Sequence, residues 1–127
     1  MNANMVGWFE IPVTDIQRAK KFYEKVFDIK VQVQDFEGTM MGWFPFPEDP
    51  EAKGSPGSLV QIEKYYKPSS NGTLVYFSSP EITFELGKIE EAGGVILQEK
   101  TLINKDIGFM ALFLDSEGNR IALHSKE

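Results

Sequence analysis

The chain of 127 residues contains no cysteine. Disulfide bonds, thiolate-ligated zinc and a cysteine nucleophile are therefore excluded. Histidine is almost as scarce, because His124 is the only one. A metal site that needs two imidazoles from one chain is excluded for the same reason. Any acid–base chemistry near neutral pH must come from carboxylates or from this single imidazole.

Basic residues are outnumbered, with 13 Lys and Arg against 19 Asp and Glu, a net charge of −6 and a pI of about 4.8. Nucleic acids and anionic membrane surfaces are bound through clustered Lys and Arg. We therefore expect neither as a partner. No apolar run approaches the roughly 18 residues of a membrane span, and the start of the chain lacks the pattern of a signal peptide. These absences predict a cytoplasmic protein.

What the chain does contain is an internal repeat. The segment 14–29 aligns with 80–95 at a shift of 66 positions without a gap, and GTMMGWF and GSLVQIE align further on with GFMALFL and GNRIALH. With 42% apolar residues, ten of them Phe, the chain can bury one core. We predict a single domain over residues 1–127, with module one at about 5–63, a connector at 64–72 and module two at about 73–125.

Each repeat predicts the order strand, helix, strand, strand, strand. Apolar residues recur at helical spacing from Ile16 to Val26, after a capping box formed by Thr14 and Gln17. In the second repeat Ser79 is the predicted N-cap, and a Gly-Gly pair ends the helix. The predicted fold class is α+β, with two tandem βαβββ modules forming a cup-shaped curved sheet. The turn DSEGN before the last strand favours a positive φ at Gly118 and Asn119, and we assign it no chemistry.

Two segments, FEIPVTDIQRAKKFYEKVF and FLDSEGNRIALHS, resemble the first and last elements of the vicinal oxygen chelate superfamily. This superfamily includes glyoxalase I, bleomycin-resistance proteins, fosfomycin-resistance enzymes and extradiol dioxygenases. The resemblance extends over essentially the whole chain and is strongest to short glyoxalase-like proteins. It implies a homodimer and, in metal-dependent members, an ion held by one side chain from each of four strands.

Carried onto this chain, the resemblance places those four positions at Trp8, Gln61, Leu74 and Ala122. Indole and aliphatic side chains do not ligate metals, and nickel, zinc or iron(II) sites of this kind use imidazole together with carboxylate. The resemblance thus predicts no metal site and no cofactor here. Activities that rest on such an ion, including that of glyoxalase I, are not expected.

Residues two apart on a strand share a face, so further side chains should point into the cup beside those four. The predicted ligand-binding set is Trp8, Gln61, Glu63, Leu74, Tyr76 and Ala122. Glu10 and His124 are the candidate catalytic residues, as an acid/base pair on the same face. Glu10 is alternatively a structural acid bonded to a neighbouring strand or to Arg120, and His124 a surface residue near a strand end. Trp8 is alternatively part of the core.

Three functions remain open at the level of sequence. The first is a metal-independent protein that binds a small molecule in an apolar cleft, as antibiotic-sequestering members of the superfamily do. The second is a lyase or isomerase that uses Glu10 and His124. The third is an interaction domain whose cleft is plugged by its own side chains, Trp8 foremost.

Overall fold

The computed structural model describes residues 4–62 and 67–127. The first half contains β1 (Phe9–Pro12), α1 (Ile16–Phe27), β2 (Gln32–Phe36), β3 (Thr39–Trp43) and β4 (Gly57–Gln61). The second contains β5 (Val75–Ser78), α2 (Thr83–Ala92), β6 (Val95–Asn104), β7 (Gly108–Leu114) and β8 (Arg120–Ser125). The predicted α+β class and the order βαβββ in each half are confirmed. In the part of the chain that is described, no helix is both long and apolar enough to cross a membrane.

Each half forms a four-stranded mixed sheet, in the order β1-β4-β3-β2 and β5-β8-β7-β6. Strand β1 pairs in parallel with β4, and β5 pairs in parallel with β8. All other neighbouring strands are antiparallel. The strands β1 and β5 begin 66 positions apart, as the helix segments do in the sequence alignment. The repeat seen in the sequence is therefore a repeat in structure.

The two halves share one hydrophobic core. All five apolar residues of the α1 stripe are buried, including Phe22 and Tyr23. The ring of Phe22 lies 6.0 Å from that of Phe113 in the second sheet, and Phe9 in β1 lies 5.8 Å from Phe77 in β5. Burying one such ring contributes about 1.5–3 kcal/mol. Because these contacts join the halves, neither module buries its aromatic residues alone.

The helix starts differ from the prediction. Asp15, not Thr14, caps α1, since its Oδ1 accepts from the backbone N–H groups of Gln17 and Arg18 at 3.1 Å each. A carboxylate at this position also interacts favourably with the helix dipole. The second helix begins at Thr83 without a side-chain cap, while Ser79 Oγ accepts from Glu81 N in the turn before it. The two predicted caps are therefore wrong.

Strand β6 extends over ten residues and ends at Asn104. The side chain of Asn104 closes the turn to β7 by accepting from Asp106 N and Ile107 N at 2.9 and 2.7 Å. Gly108 then takes a φ of +108°, and a Cβ there would lie 2.3 Å from the carbonyl oxygen of Ser125. Only glycine fits this position.

The turn before β8 joins the two modules through side chains. We call Asp115, Glu117 and Asn119 the clasp. Gly118 has the predicted positive φ, at +90°, whereas Asn119 does not. The clasp makes hydrogen bonds to module one, from Tyr23 Oη to Asp115 Oδ2, from Arg18, Thr14 N and Asp15 N to Glu117, and from Asn119 Nδ2 to Pro12 O. A segment to which the sequence assigned only a turn therefore holds the halves in place.

Candidate ligand-binding site

A cavity of about 1150 Å³ is lined by both halves of the chain. Its wall comes from β1, from β5, from the start of β8 and from the proline-rich loop before β4. Aromatic side chains supply much of it, namely Trp8, Phe9, Phe27, Phe44, Phe46, Tyr76 and Phe77. A cavity of this size, with apolar walls and a few polar groups, is typical of sites for small organic molecules.

Four of the side chains selected from the sequence line this cavity, namely Trp8, Glu10, Leu74 and Tyr76. Trp8 is half-buried and Tyr76 is 50% exposed, so neither ring is enclosed in the core. Ala122 pairs with Tyr76 across β5 and β8 and is fully buried beneath the neighbouring side chains. Ala122 therefore does not line the cavity.

In the second sheet, strand parity correctly predicts which side chains lie on the same face. Tyr76 pairs with Ala122 and Ser78 pairs with His124, which places these four residues on one face. In the first sheet the equivalent pairs are Glu10 with Ser58 and Pro12 with Val60.

The placement of Gln61 on that face is wrong. Gln61 lies three residues after Ser58, an odd number, so its side chain points to the other side of the sheet. There its Oε1 accepts from Ile16 N at 2.7 Å, at the start of α1. The sequence alignment paired Gly57 with Gly118, whereas the structure makes Ser58 equivalent to Ala122. That difference of three positions reversed the predicted face.

Glu10 and His124 occupy different surroundings. Glu10 is exposed at the cavity wall and has no hydrogen bond or ion pair among the described residues, including none with Arg120. His124 is not part of the cavity wall, and its Nε2 lies 2.6 Å from the carbonyl oxygen of Ile107. The structure therefore brings Glu10 to the cavity without His124. The predicted ligand-binding residue Glu63 lies outside the described residues.

Further polar groups lie at or near the cavity. Arg120 lines the wall, and its buried Nε has no hydrogen-bond partner among residues 4–62 and 67–127. The buried Ser58 Oγ and Trp43 Nε1 likewise have no hydrogen-bond partner in the described part of the chain. The rings of Trp8 and Trp43 meet edge to face, with centroids 5.0 Å apart. Only the strand register, which a single sequence does not fix, could have placed Ser58 in the row of Glu10.

The donor groups do not fit the metal that the superfamily resemblance implies. Within the described ranges, no three side chains of His, Asp or Glu come close enough to one another to hold an ion. The described carboxylates of the cavity wall are Glu10 and Asp49, and no imidazole accompanies them. Zinc, nickel and iron(II) prefer nitrogen ligands in addition to oxygen. This wall is suited instead to apolar and hydrogen-bonding contacts with an organic molecule.

Comparison with known families agrees with this architecture. The model of the Glyoxalase/Bleomycin resistance protein/Dioxygenase superfamily matches residues 5–123. The chain belongs to this superfamily. The resemblance seen in the terminal segments of the sequence is thereby confirmed.

Individual relatives are distant. A glyoxylase-like domain-containing protein of Didymella fabae is 26% identical over 123 residues, covering 93% of this chain and 91% of that protein. A V278E mutant of glyoxalase I from Zea mays superposes with a TM-score of 0.73 at 19% identity, over 94% of this chain and 45% of the maize protein. This chain thus spans less than half of that enzyme. TnmS3, an antibiotic-binding protein from Streptomyces sp. CB03234, gives a TM-score of 0.65 at 22% identity, covering 100% and 99% of the two chains.

Proposed function

We propose that the protein binds a small organic molecule in the cavity and does so without a metal ion. The observation that carries this proposal is the cavity of about 1150 Å³ with aromatic side chains from both modules in its wall. Flat aromatic side chains provide large contact areas for planar or apolar ligands. Among the described residues, no group of three His, Asp or Glu side chains could hold an ion, and this supports the metal-independent part of the proposal.

An open cavity supports binding over a plugged interaction domain. If Trp8 filled the cleft, little volume would remain beside it. Instead Trp8 packs its ring against Trp43 and leaves its other side at the cavity wall. The antibiotic-binding protein TnmS3 has the same fold as this chain along the full length of both, which is in line with a binding role.

Acid/base catalysis by Glu10 and His124 has less support. A general base and its partner acid must both reach the bound molecule. Glu10 lines the cavity, but His124 is hydrogen-bonded at the turn between β6 and β7. Glu10 is better placed to accept a hydrogen bond from a hydroxyl or amine of the ligand.

A neutral fluorescent dye, phenylnaphthylamine, tests occupancy of the cavity. We expect saturable binding with enhanced emission in the unmodified protein. The variant Leu74→Trp replaces an aliphatic side chain of the wall with a bulkier indole and should weaken binding by about tenfold, or about 1.4 kcal/mol. Phe84→Trp is the control, since Phe84 is exposed on α2 and lies outside the wall. Equal binding in both variants, or no binding to the unmodified protein, would contradict the proposal.

We further propose that two chains form a homodimer. The outer strands of each sheet, such as β2 and β6, have one unpaired edge within the described residues, and β6 exposes Val95, Leu97 and Leu102. Such edges are commonly covered by a partner. Sedimentation at micromolar concentration should give twice the chain mass of 14.4 kDa. A monomer mass would reject the dimer without affecting the cavity.

A further inference from the structure

Arg120 is the first residue of β8 and is held in the wall of the cavity. It pairs with Leu114 on β7 and precedes Ile121, which pairs with Val75 on β5. Its backbone N–H donates to Ser69 O at 3.3 Å, so the main chain is anchored on the connector side as well. Arg120 shares its sheet face with Ala122, two residues on, and therefore with Tyr76. Its side chain thus projects on the ligand-facing side of the sheet.

The guanidinium lacks a partner in the described structure. Arg120 forms no ion pair, and its Nε is buried with no hydrogen-bond acceptor among the described residues. A guanidinium carries its charge at every accessible pH and has five N–H donors to satisfy. Leaving a buried donor of a charged group unpaired is costly, and native proteins rarely do so. An acceptor supplied from the cavity would remove this cost.

The charge of the described cavity wall also differs from that of the whole protein. The wall contains three basic residues, Lys53, Lys67 and Arg120, and two acidic residues, Glu10 and Asp49. The chain as a whole carries a net charge of −6. A cavity richer in positive charge than its surroundings attracts anions. The aromatic side chains and Arg120 thus line the same cavity.

We infer that the ligand is an amphipathic organic anion, with an apolar or aromatic body against Trp8 and Tyr76 and an oxyanion group at Arg120. This inference rests on the proposed function of the cavity and specifies its ligand class. The planar fork of a guanidinium matches the oxygens of a carboxylate, sulfonate or phosphate, and such charge-assisted hydrogen bonds are among the strongest in proteins. The exposed Glu10 would then contact polar groups of the ligand away from its anionic end.

Two dyes with the same ring system separate the charge from the apolar body. Anilinonaphthalene sulfonate carries an oxyanion, and phenylnaphthylamine does not. The unmodified protein should bind the sulfonate about tenfold more tightly, a difference of about 1.4 kcal/mol. Arg120→Gln should reduce this preference to less than about twofold, chiefly by weakening the binding of the sulfonate. Arg120→Met, which keeps the aliphatic stem, should behave like the Gln variant and replaces it if that variant does not fold.

Lys21→Gln is the control for net charge, because it removes the same charge from an exposed position of α1 outside the cavity wall. It should keep the full preference for the sulfonate. Equal affinity of the unmodified protein for the two dyes would overturn the inference, and so would a preference that survives both Arg120 variants. In either case saturable binding of phenylnaphthylamine that Leu74→Trp weakens would leave the proposed function standing. Failure of both dyes to bind would reject the proposed function itself.

Discussion

Tyr23 donates a hydrogen bond to Asp115 across 2.7 Å inside the core. The two residues are 92 positions apart, one on the helix of module one and the other in the clasp of module two. Asp115 also accepts from Glu117 N, Asn119 N and Asn119 Nδ2. A buried carboxylate with several donors is tolerated because its charge is compensated by hydrogen bonds. The modules are therefore joined by a polar contact within an otherwise apolar interface.

Replacing Tyr23 with Phe removes this hydrogen bond with little change in shape. We expect a loss of about 1–3 kcal/mol of unfolding free energy at pH 7, because Asp115 stays buried with one donor fewer. Urea denaturation of the two proteins measures it. The control is Phe36→Tyr, which changes one hydroxyl at an exposed position. Phe22→Tyr would not serve, because Phe22 is buried. An equal loss in the control would show that the effect does not come from the hydrogen bond.

The same pair predicts a pH dependence above pH 10. Burial raises the pKa of Tyr23 well above its ordinary value of 10.0, and the neighbouring charge of Asp115 raises it further. At high pH the unfolded chain therefore loses the phenolic proton while the folded chain keeps it. Stability then falls by up to about 1.4 kcal/mol per pH unit, a loss that Tyr23→Phe does not suffer. The advantage of the unmodified protein should thus shrink above pH 10; a constant difference from pH 8 to 11 would contradict this expectation.

Glu117 predicts a loss of stability at low pH, whereas Tyr23 predicts one at high pH. Burial alone would raise its pKa, but hydrogen bonds from Arg18, Asp15 N, Ser116 and Thr14 N lower it below the ordinary value of 4.5. Its contribution to stability is complete above the unfolded pKa and is lost as the pH falls through the folded pKa. Glu117→Gln should therefore cost about 1–2 kcal/mol at pH 7 and progressively less below about pH 4.5.

The measurement is urea denaturation of both proteins from pH 7 to pH 3. Arg18 is 53% exposed whereas the side chain of Glu117 is fully buried, so screening by solvent weakens the ionic part of the contact. Arg18→Met, and the double variant with Glu117→Gln, separate that ionic part from the two backbone hydrogen bonds. A cost of Glu117→Gln that does not change with pH would show that the charge of Glu117 makes no contribution.

Gln61 should matter for stability and not for binding. Gln61→Ala leaves Ile16 N without its acceptor and should cost about 1 kcal/mol, while Gln61→Glu keeps an acceptor beside the helix start and should cost less. Neither should change the affinity for phenylnaphthylamine by more than about twofold, or about 0.4 kcal/mol. A large loss of binding in Gln61→Ala, without a loss of stability, would return Gln61 to the ligand-facing side.

Features with a local repeat could be predicted from the sequence, whereas strand register and contacts between distant segments could not. The apolar stripe of α1 repeats every turn, so Ile16–Val26 and its burial follow from periodicity alone. Trp8, Leu74 and Tyr76 were placed correctly because β1 and β5 align without a gap. Gln61 was misplaced because the match of Gly57 with Gly118 lies three positions from the structural equivalence of Ser58 and Ala122, and a strand face reverses with every odd shift. The clasp could not be found, since hydrogen bonds over more than 90 positions leave no local pattern.

The proposal that binding is independent of metal has a direct test. The protein is exposed to excess nickel or zinc, dialysed and subjected to elemental analysis. We expect less than about a tenth of an ion per chain, because a site without nitrogen and carboxylate ligands in the right geometry retains metal poorly. Phenylnaphthylamine binding should be the same before and after chelation. His124→Ala is the decisive variant, since it removes the only imidazole. An ion retained at one per chain by the unmodified protein and lost in His124→Ala would reject metal independence and place the ion at His124.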